Sequence, residues 1–251
     1  MNSKIVYTQE IEQLIYSNRT ADELLKTERN RVSVHTLNDG KKIVLKAFKV
    51  PNLINQIAYR YFRKSKAKRS YEYAQILRAK TIGTPEPLAY FENFNLVGLQ
   101  DSYYACEYIE ADLTYRELTF DFEIPDYEII LRAFTRFTYD LHAKEIHFLD
   151  HSPGNTLIQK RAGEYQFFLV DLNRMEFGPM SIEARIQNFS KLTTHKSMVR
   201  IMSNEYSKLV PESEAFIFER MWRYTQEFQE EYHRKRRIKR KLFFWKEKYK
   251  S

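Results

Sequence analysis

The chain has 251 residues, of which 43% are apolar and 15% aromatic, and these proportions are typical of a packed globular protein and exclude intrinsic disorder. Its 41 Lys and Arg outnumber 33 Asp and Glu, which gives a formal net charge of +8 at pH 7. A single cysteine, Cys106, excludes an internal disulfide, and no stretch approaches the roughly 18 to 20 apolar residues of a membrane-spanning helix or the apolar segment of a secretory signal. We therefore expect a cytoplasmic protein, either soluble or peripheral to a membrane.

The first third of the chain is predicted to be a mainly β lobe with one helix. Residues 31–37 and 41–48 flank an Asn-Asp-Gly turn, which favours a tight hairpin because Gly tolerates positive φ. Residues 66–80 carry apolar side chains at helical spacing, and the sequence TIGTPEP then ends this helix. Residues 87–109 are rich in aromatic and apolar residues and predict further strands.

The second part of the chain is predicted to be mainly helical. Residues 125–145 begin with a proline and place Ile130, Phe134, Phe137 and Leu141 in a stripe on one face, which predicts a long amphipathic helix. Residues 156–160 and 164–172 indicate another hairpin. Helical patterns follow at about 181–205 and 212–235. The organisation is thus a β lobe followed by a helical lobe.

The C-terminal tail is strongly basic. Residues 233–250 hold ten Lys or Arg and one Glu, a formal +9, so residues 1–232 carry only −1. Four consecutive apolar residues, LFFW at 242–245, make the tail suitable for an anionic membrane surface, where basic residues meet headgroups and aromatics enter the interface. Nucleic acid is a competing partner for the same composition, and a solvated helical terminus that binds nothing is a third interpretation.

The segment IHFLDHSPGNTLI at 146–158 contains the strongest chemical signal. Asp150 precedes Asn155 by five positions, and Asp171 ends a predicted strand shortly afterwards. Phosphoryl transfer in the kinase fold uses an Asp to orient and deprotonate the acceptor, an Asn five residues later to hold Mg²⁺, and a second Asp after a hairpin for Mg²⁺ and phosphates. Taken alone, Asp and Asn in a Pro-Gly loop are more often turn formers.

Two upstream residues complete this pattern. Lys46 lies in the predicted strand IVLKAF, where kinases carry the lysine that contacts the α- and β-phosphates, and Glu72 lies in the next helix, where it can form an ion pair with that lysine. Each residue by itself would be read as a surface charge. Their order on the required elements favours the functional interpretation over coincidence.

Together these motifs resemble the lipopolysaccharide kinase family, bacterial kinases that phosphorylate Kdo or heptose in the inner core and are themselves similar to eukaryotic protein kinases. The resemblance covers about residues 20–205. It implies an α+β, two-lobed protein-kinase-like fold, with one kinase-like domain at 1–232 (N-lobe about 1–110, C-lobe about 111–232) and a tail at 233–251. The motifs that carry it are VLKAF around Lys46, RSYEYAQIL around Glu72, HFLDHSPGNTLI with Asp150 and Asn155, VDLNRMEF with Asp171, and RIQNFSKL.

The resemblance also implies cofactors, roles and a substrate. ATP and Mg²⁺ would be the cofactors, with Asp150 as base or orienting residue, Asn155 and Asp171 on the metal, and Lys46 held by Glu72. The acceptor would be Kdo-lipid A or another lipopolysaccharide core sugar at the cytoplasmic face of the inner membrane. For such an acceptor, the composition of the tail favours a membrane anchor over a nucleic-acid partner. RYFRKSKAKR at 60–69 adds six basic residues that could receive sugar carboxylates or phosphates, or simply begin a solvated helix.

Several departures from the kinase pattern leave alternatives open. The segment ELLKTERNRVSV, where the phosphate-covering loop should lie, has no glycine, and Asp-Leu-Asn replaces Asp-Phe-Gly at Asp171. No Ala-Pro-Glu follows, which argues against a protein substrate. His147 stands three residues before Asp150 instead of two, and His151 is either a loop histidine or a contact to the acceptor or γ-phosphate. A pseudokinase, a different small-molecule kinase such as an aminoglycoside-type phosphotransferase, and a nucleic-acid-binding protein are the alternatives.

Overall fold

The computed structural model describes the backbone of residues 3–17, 20–26 and 30–247, and the side chains of residues 7–17, 20–25 and 30–240. It divides into two compact units. The first comprises Met1–Asp112 and Leu157–Met175, and the second comprises Leu113–Thr156 and Glu176–Ser251. Within the described part, no helix is both long enough and apolar enough to cross a membrane.

The first unit is built on an antiparallel sheet of five strands in the order β1-β2-β3-β5-β4. The hairpin predicted around the Asn-Asp-Gly turn is confirmed, with Gly40 at φ +85° and β2 and β3 in register. The later strands predicted at 87–109 are also confirmed. The strands are β1 (Glu23–Lys26), β2 (Asn30–Thr36), β3 (Lys42–Phe48), β4 (Pro87–Phe94) and β5 (Leu99–Glu107).

Helices cover both faces of this sheet. They are α1 (Ser3–Tyr16), α2 (Leu53–Tyr61) and α3 (Lys66–Ala79), of which only α3 was predicted. Ile11 and Leu14 of α1 are buried in one cluster with Ile43 and Leu45 of β3, whereas Ala67 of α3 is buried with the other face. Because side chains alternate along a strand, Lys46 points to the α3 face, with its ammonium 5.1 Å from the centre of the Phe48 ring.

A second hairpin in the first unit carries Asp171. It consists of β8 (Thr156–Arg161) and β9 (Glu164–Leu169), so the predicted hairpin is confirmed, but β9 ends three residues before the predicted bound and Asp171 lies beyond the strand. The end of β9 is fixed by two hydrogen bonds, from the Leu169 N–H to the Gly83 carbonyl and from Thr84 Oγ1 to the Leu169 carbonyl, both 2.9 Å. A Cβ on Gly83 would lie 2.0 Å from the Phe167 carbonyl oxygen, so this approach requires glycine. Asp171 therefore lies two residues after Leu169, whose position these contacts fix.

The second unit is mainly helical. The predicted helix at 125–145 is α4, which buries three members of its predicted stripe and leaves Phe137 half-buried. The pattern at 181–205 forms two helices instead of one, and the last predicted helix continues to residue 247 because no Gly or Pro interrupts residues 214–247. Two short strands, β7 and β10, pair with each other. The elements are β6 (Leu113–Thr114), α4 (Tyr127–Ala143), β7 (Ile146–Phe148), β10 (Met175–Phe177), α5 (Ile182–Gln187), α6 (Lys196–Ser207) and α7 (Glu214–Glu247).

Candidate active site

Two of the predicted site residues meet in the first unit. Lys46 Nζ donates a hydrogen bond to Asp171 Oδ1 at 2.5 Å, although the two residues are 125 positions apart in sequence. The Lys46 side chain is only 12% exposed and that of Asp171 is 34% exposed, so the carboxylate is accessible while the ammonium is largely enclosed. Asn173 Nδ2 donates to the same oxygen at 2.6 Å. Since both bonds use Oδ1, the second carboxylate oxygen is the atom that could bind a cation.

The backbone of Asp171 is strained. Its φ is +60°, in the left-handed region that costs a residue with a Cβ about 1 kcal/mol or more, and Asp is among the residues that tolerate it best. Such strain persists only where the surrounding structure imposes it, and it is frequent at functional sites. Here the hydrogen bonds of Leu169 hold the backbone before Asp171, and the bond to Lys46 holds the Asp171 side chain.

The predicted ion pair between Lys46 and Glu72 is not formed, and the structure describes both residues. Glu72 instead accepts a hydrogen bond from Lys64 Nζ at 2.8 Å, and this bond raises the pKa of Lys64. Lys64 immediately precedes Ser65, whose Oγ accepts from the Lys68 N–H and caps α3. The long Lys64 side chain therefore reaches along the first two turns of α3 to Glu72, a competition that the spacing of the kinase motif does not reveal.

The loop with Asp150 and Asn155 lies in the second unit, and the side chain of Asn155 closes it by a hydrogen bond to the backbone. Asn155 Nδ2 donates to the Asp150 carbonyl at 2.8 Å, and the Asn155 N–H donates to the Ser152 carbonyl at 3.0 Å. Pro153 begins the single 3-10 turn that makes this geometry possible. Because the Asn155 nitrogen is used as a donor, its amide oxygen is the atom left to face a cation.

Two side chains from the segment RIQNFSKL donate hydrogen bonds to the backbone that leads into this loop. Asn188 Nδ2 donates to the Phe148 carbonyl at 2.9 Å, and Lys191 Nζ donates to the Leu149 carbonyl at 2.5 Å. Both acceptors directly precede Asp150 in the chain. The family resemblance pointed to this segment in the sequence. The spacing of Asn188 and Lys191, however, does not predict which backbone atoms they bind.

The support extends to a buried histidine. The His142 ring lies 3.2 Å from Asn188 Oδ1 through Nε2 and 2.9 Å from the Tyr206 hydroxyl through Nδ1. His142 is fully buried, and this burial lowers its pKa to about 4. The neutral ring can donate one of these bonds and accept the other, which orients Asn188 toward the loop.

The two histidines near Asp150 have structural contacts. His151 is fully buried, lies 3.2 Å from Thr138 Oγ1 and stacks on Phe134 with ring centres 5.4 Å apart. Burial lowers its pKa to about 3. His151 is therefore a packed loop histidine, and the interpretation as a contact to the acceptor or γ-phosphate is disfavoured. His147 Nδ1 lies 3.6 Å from a carboxylate oxygen of Glu176, which links the paired strands β7 and β10.

The burial of His142 predicts a pH-dependent stability. Its pKa is about 4 in the folded protein and about 6.5 when unfolded, so the unfolded state binds more protons between these values. The free energy of unfolding should therefore fall as pH decreases from about 6.5 to about 4, by up to about 3 kcal/mol from this residue. Urea unfolding of the wild type and His142→Gln at pH 7 and pH 4.5 measures the effect.

The His142→Gln variant should lose part of this pH dependence, because glutamine does not titrate. An unaltered pH dependence in His142→Gln would contradict the assignment.

Comparison with known proteins identifies the fold. No family model and no curated protein sequence matches the chain. Among solved structures, it is similar to WaaP in complex with acyl carrier protein, with a TM-score of 0.58 and 14% identity over 87% of this chain and 96% of that one. It is also similar to the MAP kinase LmaMPK10 from Leishmania major, with a TM-score of 0.50 and 12% identity over 85% of this chain and 64% of that one. The chain thus has the predicted α+β protein-kinase-like fold.

Proposed function

We propose that the protein transfers the γ-phosphoryl group of Mg-ATP to a hydroxyl of Kdo or heptose in the lipopolysaccharide inner core. The bond between Lys46 and Asp171 carries this proposal, because it joins the predicted phosphate-binding lysine to the predicted metal-binding carboxylate in a protein of kinase-like fold. Asn173 adds a neutral donor to the same carboxylate oxygen. Structural similarity alone would support only the phosphotransferase fold.

The residues present fit a Mg-nucleotide by their chemistry. Mg²⁺ takes oxygen ligands and usually combines one or two protein groups with substrate phosphates and waters, so the carboxylate of Asp171 and the amide oxygen of Asn155 are suitable donors. A metal site made only of protein side chains needs a group of several ligands. The described residues contain no group of three or more His, Cys, Asp or Glu that could hold a metal. The cation is therefore expected to arrive with the nucleotide.

The protein's own groups would bind, orient and deprotonate. Mg²⁺ would neutralise charge on the phosphates during transfer. The Lys46 ammonium, which has three N–H donors, would contact the α- and β-phosphates. Asp150 would accept the proton of the attacking sugar hydroxyl. Asn188 and Lys191 would keep the backbone before Asp150 in place, because both bind its carbonyls. Positioning of this kind supplies most of the catalysis in phosphoryl transfer.

Lys46 and Glu72 are expected to contribute independently to nucleotide use. Lys46→Ala should lower kcat/KM for ATP by about a hundredfold, because it removes a charge from the phosphate site. Glu72→Ala should change it by no more than about threefold, since Glu72 binds Lys64 and not Lys46. The double variant should show the product of the two effects in steady-state kinetics with varied ATP.

Lys64→Ala provides the control for this pair and should resemble Glu72→Ala. If the double variant were no worse than Lys46→Ala alone, the two residues would act as a unit, and the arrangement with nucleotide bound would differ from the one described here.

The lipopolysaccharide acceptor is supported by the type of fold and by the basic C-terminus. In α7, residues 233–240 are all exposed, and every one is Lys or Arg except His233 and Ile238. A cytoplasmic enzyme that modifies a membrane-embedded anionic glycolipid would benefit from such a segment. The predicted aromatic contribution of residues 242–245 lies in side chains outside the described ones.

The test of the function is a transfer assay with Mg-ATP against purified Kdo-lipid A and against heptosylated core, with mass spectrometry of the product. A mass increase of one phosphate on either substrate supports the proposal, and fragmentation of the product identifies the sugar that carries it. Nucleotide binding without turnover would instead indicate a pseudokinase, and transfer to aminoglycosides alone would indicate a different small-molecule kinase.

Deletion of residues 233–251 is expected to release the protein from anionic vesicles and to lower activity on membrane-embedded substrate. Activity on a soluble sugar fragment should be unchanged, because the buried part of α7 lies earlier, at Ile217, Met221 and Thr225. Co-sedimentation with anionic and neutral vesicles at low and high salt measures the binding, and salt should weaken it by screening the basic charges.

Neutral vesicles are the control for this deletion, since they offer no negative charge to the tail. Equal binding of both forms to anionic vesicles would refute the anchor. Selective binding of nucleic acid by the intact protein would assign the tail to that partner instead.

A further inference from the structure

We infer that the first unit carries its own membrane-docking surface, separate from the C-terminal tail, and that its partner is an anionic lipid bilayer. This α2 surface comprises the segment from Val50 to Phe62, with helix α2, and the turn between β4 and β5 at 94–97. Binding of lipid at this surface requires neither nucleotide nor sugar, so the inference is independent of the proposed activity. Its exposed apolar members are Val50, Leu53, Ile54, Ile57, Tyr61, Phe62, Phe94, Leu96 and Val97.

The apolar residues of α2 share one face. Leu53, Ile57 and Tyr61 follow one another at intervals of four residues, and Ile54 lies beside them, so the four span roughly 100° of the helix circumference. Their exposed fractions range from 40% to 79%. No residue of α2 is buried, so packing within the protein does not account for this amphipathic pattern.

Polar side chains beside the apolar face attach α2 to β5 and to the β4–β5 turn. Gln100 Nε2 donates to Gln56 Oε1 at 2.9 Å, and Gly98 approaches so closely that a Cβ there would lie 2.5 Å from the Gln56 backbone. Arg60 also donates to the Asn95 carbonyl. These contacts place the β4–β5 turn beside α2, so the exposed apolar residues of the turn and of the helix form one surface.

Basic residues predominate in the segment that carries this surface. Residues 49–69 contain seven Lys or Arg and no Asp or Glu. Arg60 lies beside the apolar face and Arg63 follows it, and both are exposed, whereas the exposed Lys64 pairs with Glu72. Anionic headgroups complement such a rim, while the apolar side chains reach the boundary of the acyl chains.

The shape of the surface favours a bilayer over a folded partner. Ile54, Phe62 and Leu96 are 79%, 86% and 94% exposed, so each projects from the protein separately. A fluid acyl boundary accommodates separate side chains of this kind, whereas a protein interface packs its apolar core to the density of a protein interior. The basic rim also disfavours pairing with a second copy, which would bring like charges together.

A fluorescent label at position 96 tests the inference on the full-length chain. Leu96→Cys is labelled with an environment-sensitive dye, and Cys106, the one native cysteine, is buried and should not react. Vesicles of phosphatidylglycerol and phosphatidylcholine should shift the emission to the blue, and nitroxide lipids should quench it. A label at Ile129→Cys, 58% exposed on α4 in the second unit, is the matched control and should show neither effect.

A second variant measures affinity. Ile54→Ser combined with Phe62→Ser should weaken binding to the anionic vesicles by about tenfold, and Phe120→Ser with Ile129→Ser should leave it unchanged. Because all four side chains are exposed, folding should not be affected. Vesicle binding with no shift at position 96 would overturn the inference in favour of the tail alone. A shift caused by protein concentration without lipid would overturn it in favour of self-association, and one caused only by an acidic soluble protein would do so in favour of that partner.

Discussion

Replacement of Asp171 by asparagine is expected to lower phosphoryl transfer by about a thousandfold or more. The reason is electrostatic, because the amide retains an oxygen for Lys46 and Asn173 but loses the negative charge that a Mg-nucleotide requires. Asparagine is preferred to alanine for this test. It tolerates the left-handed backbone of residue 171 as well as aspartate does, whereas alanine would add strain to the loss of charge.

The measurement is the rate of phosphate incorporation at saturating Mg-ATP, together with thermal unfolding to show that the fold is retained. Asp101→Asn is a matched control, because it makes the same chemical change on β5 of the same unit at a position assigned no role. Activity of Asp171→Asn near that of the control would remove Asp171 from the proposed metal site.

Replacement of Asp150 by alanine is expected to lower kcat by about a hundredfold to ten-thousandfold with little change in KM for ATP. The loss follows from the absence of a group to accept the proton of the sugar hydroxyl. The loop should keep its shape, since Asn155 binds the carbonyl oxygen of residue 150, which alanine retains. Asn188 and Lys191 likewise bind backbone carbonyls of the preceding residues.

Single-turnover kinetics with lipopolysaccharide acceptor separate this chemical defect from a defect in binding. Asp140→Ala serves as the control, because Asp140 is an aspartate on α4 that pairs with Lys144, four residues away on the same helix. A fully active Asp150→Ala variant, with Asp140→Ala also active, would show that another group accepts the proton.

The sequence was sufficient to predict those elements whose local pattern and tertiary environment agree. The hairpin of β2 and β3 has alternating apolar residues and a turn that needs glycine, and α4 has a continuous buried stripe, so both were predicted close to their observed bounds. Helix α1 was missed because its two buried anchors, Ile11 and Leu14, depend on the sheet face that covers them. Helix α2 was missed although Leu53, Ile57 and Tyr61 lie at helical spacing, because nine residues are fewer than the window in which this periodicity identifies a helix.

The candidate residues Lys46, Asp150, Asn155 and Asp171 could be predicted from the chain because their types and order match the pattern that phosphoryl transfer requires in the kinase fold. The sequence alone also established the basic tail and the kinase-like fold class. The tertiary structure decided which charges meet. Asp171 and Lys46 are 125 residues apart in sequence, and the hydrogen bonds of Leu169 with Gly83 and Thr84 hold the end of β9 where Asp171 can reach Lys46. Glu72 binds Lys64, which directly precedes the N-terminal cap of α3. Ion pairs form according to distance in space, and spacing along the chain determines that distance only within one helix or hairpin.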